Sequence, residues 1–140
     1  MDIIRRLPEE LRRYIITFTY EPQPTFLLND IRHYVFTRAT IQEWYTNRFA
    51  WEYPNAENDW LNNDLIGMCN QHHATMFGYR DYFFTIFTRF FMLKNKTRKQ
   101  ILRICNNMHR DTKKSSNITW GILTPEERDV FVNDLYVYEF

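Results

Sequence analysis

Glycine, alanine, serine and cysteine are all scarce in this 140-residue chain, and each shortage weakens the case for a class of function. The three glycines, Gly67, Gly78 and Gly121, stand alone, so no run of adjacent glycines exists to cradle a phosphate with backbone amides. The only serines, Ser115 and Ser116, sit in a lysine-flanked polar stretch with no local base signature, which leaves a serine nucleophile without support. Two cysteines, Cys69 and Cys105, are too few for a disulfide framework, and reduced thiols are expected. Long apolar runs are missing as well. The most aromatic stretch, Tyr79 to Leu93, is interrupted by Arg80, Asp81 and Arg89, and so falls short of the roughly 18 apolar residues a membrane span needs. Met1-Asp2-Ile3-Ile4-Arg5-Arg6 lacks the apolar core of a signal peptide, so secretion is not expected. Charge is not in excess either: 18 basic and 17 acidic side chains leave a formal +1, which with the globular composition argues against a disordered tail or a wholly basic nucleic-acid protein.

What the chain has in abundance is aromatic residues, 18% of the total from 12 Phe, 9 Tyr and 4 Trp. With 44% hydrophobic and 25% charged residues it has a globular composition, and its length fits one domain, residues 1–140. The apolar spacing is helical nearly throughout. Leu7, Leu11, Ile15 and Phe18 share a face, and Pro8, Glu9 and Glu10 make a favourable first turn, giving a helix from about 8 to 19. Pro22 and Pro24 break it, and Leu27, Leu28, Ile31 and Val35 mark a second helix near 24 to 36. Thr40-Ile41-Gln42-Glu43 has the form of a capping box opening a third, with Ile41, Trp44, Tyr45 and Phe49.

Residues 50 to 58 read as a turn, after which Asp59 caps a fourth helix bearing Trp60, Leu61, Leu65 and Met68. Tyr79, Phe83, Phe87 and Phe91 recur every four residues. Phenylalanine and tyrosine favour strands, but length and period here favour a fifth, aromatic helix at the centre of the core. Thr97 caps a sixth with Ile101, Ile104, Cys105 and Met108 inward; Asp111 to Asn117 is a polar loop. Thr124-Pro125-Glu126-Glu127 combines an N-cap threonine, a first-turn proline and a reciprocal glutamate ahead of Val130, Phe131 and Leu135. No internal repeat or long linker marks a second domain. The expectation is an all-α fold, a single compact domain of six or seven short helices with an aromatic-rich core.

Two constellations bear on function. Cys69, His72 and His73 lie close together and Cys105 and His109 are one helical turn apart, so Cys69, His72, Cys105 and His109 have the residue types of a tetrahedral zinc site. Cys105 also occupies an apolar position beside Ile101 and Met108, and a small buried hydrophobe is the ordinary role of a free cysteine, so neither a metal nor another cofactor is expected. The second is a concentration of charge. Lys94, Lys96, Arg98, Lys99, Arg103, Arg110, Lys113 and Lys114 are set against Asp111 alone, with Lys99, Arg103 and Arg110 on the polar side of the sixth helix. They can meet phosphates or an acidic protein surface, or pair with the acidic C-terminal segment of Glu126, Glu127, Asp129 and Asp134; no groove-reading motif accompanies them.

Leu7-Pro8-Glu9-Glu10-Leu11, Ile15-Ile16, Phe18 and Trp44 resemble an F-box, the helical module that docks onto the adaptor subunit of cullin-RING ubiquitin ligases. The resemblance spans residues 4–49 and implies Leu7, Pro8 and Leu11 as the partner-binding residues; the same three side chains also suit a hydrophobic staple and core contact. The tryptophan falls later than in the family, and the Val-Cys pair that precedes it there is replaced by Thr40, Ile41 and Gln42. The run Leu7 to Tyr34, Met76-Phe77-Gly78-Tyr79 and Trp120-Gly121-Ile122-Leu123-Thr124-Pro125-Glu126-Glu127-Arg128 look like small proteins of unknown function encoded by large nucleocytoplasmic DNA viruses. The abundance of residues with AT-rich codons agrees with that origin. These resemblances imply a non-catalytic viral protein-protein interaction protein of the host cytoplasm or the virion, docking onto a ubiquitin-ligase adaptor or a virion component. The alternative is a structural virion or genome-associated protein using the basic patch 94–114.

Overall fold

The computed structural model describes residues 6–20 and 23–137, with side chains 15–20 left out; the inward positions expected for Ile15 and Phe18 lie outside the described residues. Among the described residues the secondary structure is entirely helical: α1 (Glu9–Tyr20), α2 (Thr25–Phe49), α3 (Ala56–Cys69), α4 (Asp81–Phe87), α5 (Arg98–Met108), α6 (Thr112–Ile122) and α7 (Pro125–Val137), with short 3-10 turns at Thr75–Phe77 and Phe91–Leu93. None of these helices is long and apolar enough to cross a membrane. Packing divides the chain into two units, Met1–Ile31 and Arg32–Phe140, the division falling inside α2.

The first unit holds α1, with Glu9 and Glu10 in its first turn as expected, and the start of α2. The second holds the core: Ile41 and Tyr45 of α2, Leu61, Leu65 and Cys69 of α3, Phe83, Phe84, Ile86 and Phe87 of α4, Ile101 and Cys105 of α5, Trp120 of α6 and Phe131 and Leu135 of α7. Val130, expected on the apolar face of α7, is exposed.

Four expectations need correction. The second and third helices are one: Thr40 does not cap but donates its hydroxyl to the Phe36 carbonyl, 3.1 Å away, and Thr37, Ile41 and Tyr45 line up at four-residue spacing on a buried face that runs through the expected break. Asp59 does not cap α3; Asn55 precedes the helix in a left-handed conformation, and Asp59 accepts a 2.6 Å hydrogen bond from the Thr112 hydroxyl. The aromatic helix is short, because α4 ends at Phe87 and leaves Phe91 exposed in a 3-10 turn. Asp111 to Asn117 is no loop: Asp111 caps α6 by accepting the Lys114 amide, and Ser115 and Ser116 are buried.

The helix starts read from local chemistry are present as expected. Thr97 and Gln100 form a reciprocal capping box on α5. On α7, Thr124 Oγ1 accepts the Glu127 amide at 3.2 Å and Glu127 returns a carboxylate to the Thr124 amide at 2.8 Å.

The C-terminus of α6 has no glycine cap. Arg128 donates to the carbonyls of Trp120 and Gly121 at 2.8 and 3.2 Å, and Arg89 donates to that of Ile122 at 3.2 Å. Two guanidiniums thus satisfy three successive carbonyls that a helix end leaves without partners, and their charge opposes the negative end of the helix dipole.

Candidate functional site

The basic segment folds into a face on α5. Lys99, Arg103, Asn106 and Arg110 follow one another at steps of four, three and four residues, which stacks them along one side of the helix and its C-terminal turn. Ile101 and Cys105 point the other way into the core. The face runs about 16 Å, the length of an eleven-residue helix. Lys94 and Lys96 precede its N-terminal end, and Lys113 and Lys114, in the first turn of α6, follow its C-terminal end. All eight basic side chains are exposed. Arg98 is engaged locally, paired with Asp81 at 2.7 Å and lying over the Phe84 ring.

The acidic C-terminal segment makes its ion pairs elsewhere. Asp129 lies 2.7 Å from His33 Nε2. Glu127 binds Arg89 through both carboxylate oxygens, at 2.7 and 3.0 Å, and also accepts the Tyr82 hydroxyl at 2.8 Å. Burial by itself would raise the Glu127 pKa, but the hydrogen bonds from Arg89, the Thr124 amide and Tyr82 bring it down to about 2 from an ordinary 4.5. A depressed carboxylate contributes stability that is fully present above the unfolded-state pKa and is lost as pH falls through the folded one. Acid titration of folding stability is therefore expected to show a decline between about pH 4.5 and 2 that is smaller in Glu127→Gln; equal pH dependence in the two proteins would contradict this role.

The metal-type residues do not assemble. No group of three or more His, Cys, Asp or Glu side chains placed to hold an ion occurs among the described residues. Cys69 and Cys105 are buried, and burial pushes their thiols up to about 12 and about 11, far from the thiolate a metal requires. His109 is turned to Ser115, with Nδ1 2.7 Å from Oγ, and burial lowers its pKa. This Ser-His contact was not legible in the sequence, and Ser115 has no accessible surface to offer a substrate. At the N-terminus Leu7 is half-buried, Pro8 is exposed and Leu11 keeps 50% of its surface in solvent.

A second site lies in the Arg32–Phe140 unit. A cleft of about 490 Å³ opens between α2, α3 and α7, lined by Trp44, Tyr45, Asn63, Asp64, Gly67, Met68, His72, Phe131, Asp134 and Leu135. Tyr45 donates its hydroxyl to Asp64 Oδ2 at 2.5 Å. Desolvation raises the Asp64 pKa, against the opposing pull of that hydrogen bond and of nearby His72. His72 and Gln71 both have left-handed backbones, with φ of 59° and 53°, at the C-terminal turn of α3. That turn leads into a loop held by Asn70, which donates to the carbonyls of His73 and Gly78 and accepts the Arg80 amide. In the sequence Phe131 and Leu135 register only as apolar helix positions and Trp44 only as a helix position and part of the F-box resemblance, so no sequence signal pointed to this cleft.

Fold and surface together define an all-helical protein, among the described residues, with a basic helix face and a cleft between α2, α3 and α7. Compared with protein-family models, curated proteins and solved structures, the chain matches none.

Proposed function

We propose that the chain is a non-catalytic interaction protein that meets an anionic partner through the basic face of α5, in keeping with a genome- or particle-associated role in a large DNA virus. The observation that carries this reading is the Lys99, Arg103, Asn106 and Arg110 row, set opposite the buried Ile101 and Cys105, while Glu127 and Asp129 of the acidic segment pair with Arg89 and His33. Three cations, Lys99, Arg103 and Arg110, spread over about 16 Å of helix, can neutralise about three phosphates of a nucleic-acid strand. The F-box-like surface of Leu7, Pro8 and Leu11 has less behind it, since the segments expected as its second and third helices form the single helix α2.

The test is fluorescence anisotropy with a labelled DNA duplex across salt concentrations. With about three phosphates neutralised, affinity is expected to fall about 40-fold for a fourfold rise in salt. Lys99→Glu combined with Arg103→Glu is expected to remove most of the affinity and flatten the slope. No binding at low salt, or binding indifferent to both salt and charge reversal, would overturn the reading.

A further inference from the structure

We propose that α5 reads the base sequence of double-stranded DNA from the major groove, with Arg103, Asn106 and Asn107 on base edges and Lys99 and Arg110 on backbone phosphates. The proposal rests on the anionic-partner reading of the same face and adds sequence recognition to it.

The composition of the face carries the inference. The exposed positions of α5 are Arg98, Lys99, Gln100, Arg103, Asn106 and Asn107, and Arg110 follows in the next turn. Each of these side chains is a hydrogen-bond donor, and α5 contains no carboxylate. A helix face that serves only solubility gains from carboxylates three or four residues from its cations, and α5 supplies none. A face that meets only diffuse negative charge needs cations, to which asparagine adds nothing. Arginine and asparagine are instead the side chains that make paired hydrogen bonds to guanine and to adenine in the major groove.

Their placement suits that role. Asn106 and Asn107 stand three and four residues after Arg103, so the three side chains are neighbours on the helix surface. Lys99 lies one turn before them, Arg110 one turn after Asn106, and Lys94, Lys96, Lys113 and Lys114 continue the positive charge past both ends of the helix. An α-helix about 10–12 Å across enters a major groove about 12 Å wide, whose walls carry the phosphates. The side chains of Lys99, Arg103, Asn106, Asn107 and Arg110 have no hydrogen-bond or ion-pair partner among the described residues, so their donors are available to a ligand. Gln100 differs, because its Oε1 accepts the Thr97 amide at 3.0 Å and ties the side chain to the cap. Single strands are held by stacking on aromatic rings, and no exposed position of α5 is aromatic; Phe91 stands in the 3-10 turn ahead of it.

The test is selection of duplexes bound by the full chain from a random-sequence DNA pool. Anisotropy then compares the enriched duplex, a scrambled duplex of the same composition and the enriched single strand. The enriched duplex is expected to bind at least about tenfold more tightly than the scrambled one, which is within reach of one bidentate base contact. Asn106→Ala is expected to reduce that ratio by about tenfold. Lys99→Ala is expected to weaken both duplexes to the same degree and to lower the salt slope by about one. Both positions are exposed, so the two variants are expected to keep the thermal midpoint of the parent. Salt-dependent binding of all duplexes alike, or a preference undiminished in Asn106→Ala, would overturn sequence recognition and leave the anionic-partner reading in place. Tighter binding of the single strand than of either duplex would do the same, whereas no binding of any duplex at low salt would overturn both.

Discussion

Replacing Arg128 with leucine is expected to lower folding stability by about 3 kcal/mol. Arg128 is 1% exposed, so its guanidinium has left water and depends on what the fold offers in return. It receives the carbonyls of Trp120 and Gly121, the face of Tyr34 at 5.6 Å, and His33 Nδ1 at 3.5 Å. Truncation leaves two carbonyls at a buried helix end without donors, each worth about 1–3 kcal/mol. Leucine recovers part of this by burying apolar surface, which sets the expected net in the lower half of that sum. Arg128→Lys is not expected to rescue, because a single ammonium on a flexible stem does not reproduce a planar fork that donates from Nε and Nη2 to different carbonyls. Urea unfolding of the three proteins checks this, read as a shift of midpoint at constant slope. A loss below about 1 kcal/mol in Arg128→Leu would mean that the end of α6 finds other donors.

The same region shows why part of the fold was legible in the sequence and part was not. The starts of α5 and α7 are set by capping boxes, Thr97 with Gln100 and Thr124 with Glu127, in which every partner lies within four residues. Helix α6 is invisible to apolar periodicity because its buried face is Ser115, Ser116, Thr119 and Trp120. Ser115 meets His109 and Ser116 the Lys113 carbonyl, while α6 as a whole packs most extensively on α3, which has Asn58 and Asn62 among its buried residues. A polar seam between two helices exists only once both have folded. The Thr37, Ile41 and Tyr45 row carries α2 through the expected break at Thr40, a case of tertiary burial overriding a local cap signal.

The candidate sites divide along similar lines. The basic face could be counted from the sequence because its residues are near neighbours; that the acidic segment turns to Arg89 and His33 could not, because those pairs join residues 38 and 96 positions apart. The cleft was out of reach for the same reason. Its rings and carboxylates come from three helices, and each residue has an ordinary structural reading when taken alone.

The second large effect is expected in the aromatic series. Phe87→Ala is expected to cost about 3–5 kcal/mol, and Phe91→Ala no more than about 0.5, although the two residues have the same place in the four-residue repeat. Phe87 has no accessible surface; its ring lies 4.4 Å from that of Phe83 and meets His109 edge-on at 6.4 Å. Removing it opens a cavity within the buried core cluster, where collapse is hindered. Phe91 is 79% exposed, past the end of α4, with its ring against Phe90 alone among the described rings. The periodicity breaks between them because Thr88 turns its hydroxyl back to the Thr85 carbonyl at 3.0 Å and Arg89 leaves the helix to reach Glu127. Thermal or urea unfolding of both variants decides the matter: similar losses would mean that the aromatic repeat acts as one packed unit through residue 91, and a large loss confined to Phe87 places the end of the aromatic core at the end of α4.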